Sequence, residues 1–442
     1  MAVDLTRRHF LSTTSTAATG TLAASLFTGA TAAERAPERI RLGIIGCGGI
    51  MTYHVRGLCE RKSAVEFRWL CDVDPRQMDV ISKPIAAFQK ESPKRTGSFE
   101  DVLADDKTDA VIVATPHQWH CPMVLRAVQA GKDVYCEKPL SHVFAEGPLV
   151  VAAAKKHKRV VQHGSQMRSS PVTKMAGKLL AEGVIGDVKV ARAWTAEVRN
   201  VVKPVADSKP PEGVDYDRWL GPAPKRPFNS IRFHRSWRFF RDYANGEIGD
   251  DGIHDIDMAR WGLGVETHPK QITARGSRMM LHGHVSDYPD NMHAQFEYPD
   301  GRLLVYENYP FTDYGLHGFD NGNVFYGTKG YMVFSRRGYF QVYLGKKETK
   351  GPGVPREIRG NRGRGYKEHM DNFLHCLRTR ETPVGNPQTA HLSCALVHLG
   401  NIAYETRSMI DFNPKTERIL RNPAAAKLMT KSYRGPYGLP DV

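Results

Sequence analysis

Arg39–Gly49 reads RIRLGIIGCGG, an apolar run that enters a glycine turn, and a helical pattern follows from about Thr52 to Glu60. A strand, a glycine turn and a helix in that order let backbone approach a pyrophosphate closely, and the helix N-terminus favours its negative charge. Gly46, Gly48, Gly49 and Ile50 are therefore candidate cofactor contacts. Met51 stands where the third small residue of a GxGxxG pattern belongs, so the helix is expected to pack slightly farther from the strand. A second strand, Val65–Cys71, delivers Asp72 at its end, 26 residues after Gly46. A carboxylate there accepts hydrogen bonds from an adenosine ribose and disfavours a 2′-phosphate, so NAD is expected ahead of NADP. Asp74 is the neighbouring alternative.

Outward from that unit the pattern repeats. Asp109–Ala114, DAVIVA, has the continuous apolar run of a buried parallel strand and ends in Thr115, Pro116, His117, Gln118, Trp119 and His120. A helix is expected over Pro122–Ala130. Asp133–Leu140, DVYCEKPL, is then a strand to Cys136 that runs out into Glu137, Lys138 and Pro139. The proline biases Lys138 toward an extended backbone and permits a cis bond, so the ammonium is aimed. A helix around Glu146–His157 and a strand at Val160–Gln162 follow. Strands that end in polar turns at one edge of a parallel sheet place ligands at that edge.

With 442 residues, the chain is long enough for two or three domains. Lys and Arg number 62 against 47 Asp and Glu, a net +15, but the charges are dispersed, which argues for a solvated basic surface and against a nucleic-acid face. The exception is the glycine- and arginine-rich stretch from Arg356 to Lys367, expected as a surface loop. Seven cysteines, an odd number without CxxC spacing, argue against a disulfide framework. Thr6–Leu11 carries Arg7 and Arg8 with Phe10 and Leu11, followed by a mildly apolar stretch and a small-residue site at Ala30–Ala32. This is the pattern of a twin-arginine signal over residues 1–32, which exports already folded proteins to the periplasm or another extracytoplasmic compartment. No later run has the roughly 18 apolar residues of a membrane span, so no stable membrane insertion is expected.

The second half is less regular. An alternating strand over Asp187–Val198 leads into Asn200–Phe240, rich in proline, arginine and aromatics, which reads as a long ordered loop over a site. Trp219, Trp237 and Phe239 offer rings for sugar faces or for core packing. In Asn245–Gly264, NGEIGDDGIHDIDMARWGLG, a helix starting near Asp250 would put Asp250, His254 and Asp257 on one face, with Gly262 and Gly264 at its end. An imidazole with an acidic neighbour can act as an oriented base, the acid supporting its charged form. Gln271–Met280, His293–Tyr298, Arg302–Asn308, Val324–Tyr326 and Tyr331–Phe334 read as strands, and helices are expected over Lys367–Thr379 and Gln388–Thr406. His282 with His284, and His117 with His120, lack the further ligands of a closed zinc site, so no metal is assigned.

Together GIIGCGG, CDVDP, ATPHQWH and AGKDVYCEKPL resemble the glucose-fructose oxidoreductase, inositol dehydrogenase and MocA family, and the likeness runs from about Arg39 to the C-terminus. His117 departs from the Asn or Asp usual there after Thr-Pro. The resemblance implies an α/β chain: a doubly wound Rossmann domain over residues 38–165, then over 166–442 a domain with a large, mostly antiparallel open sheet whose broad face mediates a homo-oligomer, dimer or tetramer. It implies further cofactor contacts from Thr115, Pro116, His120, Glu137 and Lys138, substrate contacts from Arg168 and Trp237, and catalysis by Lys138, Asp250 and His254. His369 and His391 belong to closing helices, with a structural role expected for each. The expected activity is exported, NAD-dependent oxidation of a sugar, glycoside or polyol with a retained cofactor. A redox-neutral glycosidase or epimerase, and a non-catalytic cofactor-bound sugar-binding protein, stand as alternatives.

Overall fold

The computed structural model describes residues 39–61, 63–278, 281–312, 314–354 and 365–442. The expected targeting segment and most of the stretch from Arg356 lie outside the described residues. From the first strand the chain runs β1 (Ile40–Ile45), α1 (Gly49–Cys59), β2 (Val65–Cys71), α2 (Pro75–Phe88), β3 (Lys94–Thr96), α3 (Phe99–Ala104), β4 (Ala110–Val113), α4 (His117–Gln129), β5 (Asp133–Cys136), α5 (Glu146–Lys156) and β6 (Val161–His163). The six strands form one parallel sheet in the order β3-β2-β1-β4-β5-β6. This is the doubly wound arrangement, and the order reverses between β1 and β4, where such sheets bind dinucleotides. The four residues of β4 and the four of β5 are all buried, as both faces of a covered parallel strand must be. Helix α2 is an addition to the sequence pattern: Pro75 opens it and the Asp74 side chain accepts from Arg76 N–H at its cap.

The remainder runs α6 (Pro171–Ala181), β7 (Val188–Thr195), α7 (Tyr216–Leu220), α8 (Gly246–Asp250), α9 (Gly252–Leu263), β8 (Gln271–Ser277), β9 (Asn291–Glu297), β10 (Leu303–Asn308), β11 (Asn321–Gly327), β12 (Gly330–Ser335), β13 (Tyr339–Leu344), β14 (Thr349–Gly353), α10 (Tyr366–Thr379), α11 (Pro387–Thr406), β15 (Ile410–Asn413), β16 (Arg418–Leu420) and α12 (Pro423–Lys427). Ten strands make a second sheet, β14-β13-β12-β11-β7-β10-β9-β8-β15-β16. Among the described residues, only its β7–β10 pair is parallel. The sheet is thus mixed and mostly antiparallel. Helices α9 and α11 pack on it, and nearly every residue of α9 is buried, including Arg260. The Arg260 guanidinium reaches Ser393 Oγ and Val265 O, so its polar atoms are spent inside the core. Gly264 ends α9 at φ 71, a left-handed cap that suits glycine.

Two expected elements differ. The expected single helix through Asp250 and His254 is broken: α8 ends at Asp250, α9 begins at Gly252, and Asp251 lies between them. The helix expected from Pro122 starts five residues earlier, at His117, because Pro122 inside α4 removes only one backbone hydrogen bond.

Candidate active site

The wall nearest α1 is almost all backbone. Gly46 has φ 84, and a Cβ there would lie 2.6 Å from the Ala114 carbonyl oxygen, so the turn requires glycine. Gly48 and Gly49 are different: nothing lies within 4 Å of a Cβ built on either, because both face an open cavity. Helix α1 starts at Gly49 without a side-chain cap, leaving its first N–H groups for an anion. Asp72 closes this end. Its Oδ2 accepts Cys47 N–H at 2.7 Å and its Oδ1 accepts Asp74 N–H at 2.9 Å, and burial still holds its pKa above the usual carboxylate value. Asp72 lines the cavity, whereas Asp74 is engaged with Arg76 and with His234 at 2.8 Å. A glycine cradle, an uncapped helix start and a buried acid at the end of β2 fit a dinucleotide.

The cavity, about 1260 Å³, continues past Ile50, Thr115, Pro116 and His117 to Glu137 and Lys138. Glu137 Oε1 accepts from His54 Nε2 at 2.7 Å; burial opposes its charge, but His54 and Lys138 hold its pKa down to about 2. His54 had no local signal, since its partner lies 83 residues away. The Lys138–Pro139 peptide is cis, and the lysine at the end of β5 crosses to α8. Its Nζ donates to Asp250 Oδ1 at 2.9 Å and to the Asp250 backbone carbonyl. Asp250 Oδ2 takes the Arg238 Nε at 3.0 Å. Burial raises the Asp250 pKa and the two cations lower it further, to about 2.

His254 lines the same cavity, and its ring makes no hydrogen bond among the described residues. The acidic neighbour expected to sustain its charged form does not prevail. Burial first, then the Lys138 and Arg336 charges, push its pKa down to about 3 against Asp251 and Glu137. The ring is a neutral proton acceptor at ordinary pH. Behind it lies a dense set of charges with no obvious mark in the sequence. Arg199, beyond β7, bonds Glu247 Oε1 at 2.6 Å and also Asp251. Arg336, after β12, sits 3.5 Å from both Asp251 and Asp255. Burial raises Glu247 to about 7 and Asp255 to about 8.

Two expected contacts are placed elsewhere. His120 is one turn inside α4, with Nδ1 2.6 Å from Pro139 O and Nε2 2.8 Å from Thr115 O; it pins two strand ends and does not line the cavity. Arg168 is also off the cavity, because Asp257 takes it in a two-pronged pair, 2.8 Å each, with Ser393 at 2.6 Å on the same carboxylate. Asp257 consequently faces away from His254's cavity. Trp237 does line it, with its ring edge-on to His117 at 4.9 Å and Arg238 stacked at 4.6 Å. Trp219 combines roles, lining the cavity while packed in an aromatic cluster. His391 lies away from the cavity: with His268 it bonds Glu417 Oε1, at 3.1 and 2.9 Å. That group is compact enough for a cation, but both Nε2 atoms are already spent on one carboxylate and both Nδ1 atoms are buried without partners, so a metal would leave two buried N–H groups unpaired.

Comparison with known proteins follows this division. The profile of an oxidoreductase family with an NAD-binding Rossmann fold matches residues 40–165, and that of its C-terminal alpha/beta domain matches 172–320 and 361–439. The chain belongs to the Gfo/Idh/MocA oxidoreductase family. An inositol 2-dehydrogenase of Rubrobacter xylanophilus is 26% identical over 284 residues, 63% of this chain and 67% of that protein. A glycosyl hydrolase family 109 protein of Shewanella pealeana is 28% identical over 227 residues, about half of each chain (47% and 49%). A levoglucosan dehydrogenase solved with NADH and levoglucosan superposes with a TM-score of 0.64 over 84% of this chain and 99% of its own, at 18% identity, which speaks for the fold. Membership makes NAD the cofactor, and in this Gfo/Idh/MocA chain the glycine cradle and Asp72 would hold it.

Proposed function

We propose that this protein oxidises a hydroxyl of a sugar, glycoside or polyol with NAD, and that Lys138, Asp250 and His254 carry the chemistry. The observation that supports this reading is their convergence in one cavity with the glycine cradle. A hydroxyl placed there can receive a hydrogen bond from the Lys138 ammonium, which stabilises charge developing on that oxygen. His254, neutral and unpartnered, accepts the hydroxyl proton. Asp250 fixes Lys138 through the 2.9 Å bond and compensates its charge. Bound NAD supplies the hydride acceptor.

Export by the twin-arginine route to an extracytoplasmic compartment belongs to the same proposal, as does a cofactor retained through many cycles, because free nicotinamide cofactor is scarce there. A retained cofactor is restored by a second substrate or within one redox-neutral reaction. Relatedness to the glycosyl hydrolase family 109 protein favours the second form, in which a glycoside is oxidised, cleaved or inverted, and reduced again. A homo-oligomer, dimer or tetramer, joined through the open face of the ten-stranded sheet completes the reading, supported by Tyr326, 39% exposed, beside Tyr331 and Tyr343. The test is a glycoside and polyol panel on NAD-loaded protein with product analysis. Oxidised products support a dehydrogenase and cleaved or inverted ones the redox-neutral enzyme. Binding without any product would refute both and leave a binding protein.

A further inference from the structure

Between β7 and α8 the chain leaves the sheet and returns over the cavity. Every residue from His234 to Phe239 lines that cavity, a contiguous run on the same cavity as the glycine turn. The run is tied at both ends and in the middle. His234 Nε2 lies 2.8 Å from Asp74 Oδ2, just beyond β2 at the Asp72 end. Trp237 sits edge-on against His117 at the start of α4, and Arg238 Nε bonds Asp250 at 3.0 Å. Arg238 also donates to the Arg235 carbonyl at 2.7 Å, which fixes the turn itself. Behind it, Phe233 packs edge-on against Tyr216, Trp219 and Phe228, so the strap is rooted in an apolar cluster of its own.

Charge singles out one member. Among the described residues, seven Lys and Arg side chains line the cavity: Lys138, Arg199, Arg218, Arg235, Arg238, Arg336 and Arg337. Six are paired with carboxylates within 4.0 Å. Arg235 is exposed and has no such partner among the described residues. Gly46–His54 contains no Lys or Arg, and the start of α1 offers only about half a positive charge. A dinucleotide's pyrophosphate carries two negative charges, so the cradle alone leaves much of that charge uncompensated.

We propose that His234–Phe239 is a strap across the dinucleotide and that Arg235 is the cofactor's pyrophosphate partner, opposite the glycine turn. This rests on the NAD assignment and deepens it, since a cofactor enclosed from both sides is one that leaves slowly. The guanidinium presents a planar fork suited to phosphate oxygens, and its position one residue after the Asp74-bound His234 places it toward the adenosine half of the site.

The experiment is calorimetric titration of cofactor-stripped protein with NAD and, separately, with adenosine, which lacks the pyrophosphate, for wild type, Arg235→Gln and Arg235→Lys. Arg235→Gln should lose about ten- to a hundredfold in NAD affinity and flatten its salt dependence, with adenosine binding unchanged. Arg235→Lys should recover part of the loss. In a second readout, His234→Ala should speed release of bound NAD by untying the strap. NAD affinity within twofold of wild type in Arg235→Gln, or equal losses for NAD and adenosine, would overturn the proposal. Wild-type protein that binds neither ligand would overturn the cofactor assignment beneath it.

Discussion

At the glycine-turn end of the cleft the wall comes from Gly46–Ile50 and from Asp72, two adjoining strand ends, and its polar groups are mainly backbone. At the other end Lys138, Arg238, Asp250, His254 and Arg336 come from separate segments and meet mainly through charged side chains. The first end recognises by shape and N–H groups, which a neighbouring side chain can disturb only by filling space. The second recognises by charges that hold one another's protonation states, so removing any one shifts the rest.

Lys138→Met is the severest test of that contrast. It should lower kcat/KM by about 10³-fold or more while NAD binding persists, since only the charged end is touched. It should also raise the His254 pKa from about 3, because the Lys138 charge is the second cause of its depression after burial. NMR titration of the ring checks this directly. Retained turnover with NAD bound would remove Lys138 from the proposed chemistry. Gly48→Val should act in reverse. Its side chain enters open space within the protein, so melting temperature should hold while NAD affinity falls by about 10²-fold in calorimetry.

Gly46→Ala separates fold from function at the same turn. With φ 84 and the Ala114 carbonyl 2.6 Å from the new Cβ, it should cost about 1–3 kcal/mol, seen as a lowered denaturation midpoint. The gentlest test is pH. Seven buried histidines, His117, His120, His142, His163, His254, His369 and His398, have pKa values pushed down by burial. Their folded values lie below the unfolded one, so the stability they contribute is present above about pH 6.5 and is lost as pH falls. Glu247 and Asp255, raised to about 7 and 8, act in the opposite sense, gaining as pH falls toward the ordinary carboxylate range. His268 is lowered by burial as well, and Asp72, Glu197 and Asp242 are raised, so eight buried histidines stand against five carboxylates and thermal melts should show stability falling from pH 6.5 toward 5. Constant stability there would mean that the histidines do not dominate.

The parallel sheet was legible because each strand and its turn are encoded by consecutive residues. Asp72, Lys138, Asp250 and His254 could be marked because each stands at or near an element's end. His120 and Arg168 were marked too, but their nitrogens are taken by Pro139 O and Thr115 O, and by Asp257. Hydrogen-bond competition of that kind has no local signature. Arg238, Arg336 and His54 escaped notice for the complementary reason: their partners lie at distant positions in the chain.

The sequence by itself determined the dinucleotide end, because a glycine turn, an uncapped helix and a strand-terminal acid are local properties of backbone and side-chain type. It also determined that a lysine would stand at the end of β5. Tertiary structure decided which charges meet, breaking the helix at Asp251 so that Asp250 turns to Lys138 and Arg238, and leaving His254 neutral. The physical reason is that a buried group's charge depends on its desolvation and on neighbours brought together by folding, and neither is a property of adjacent residues.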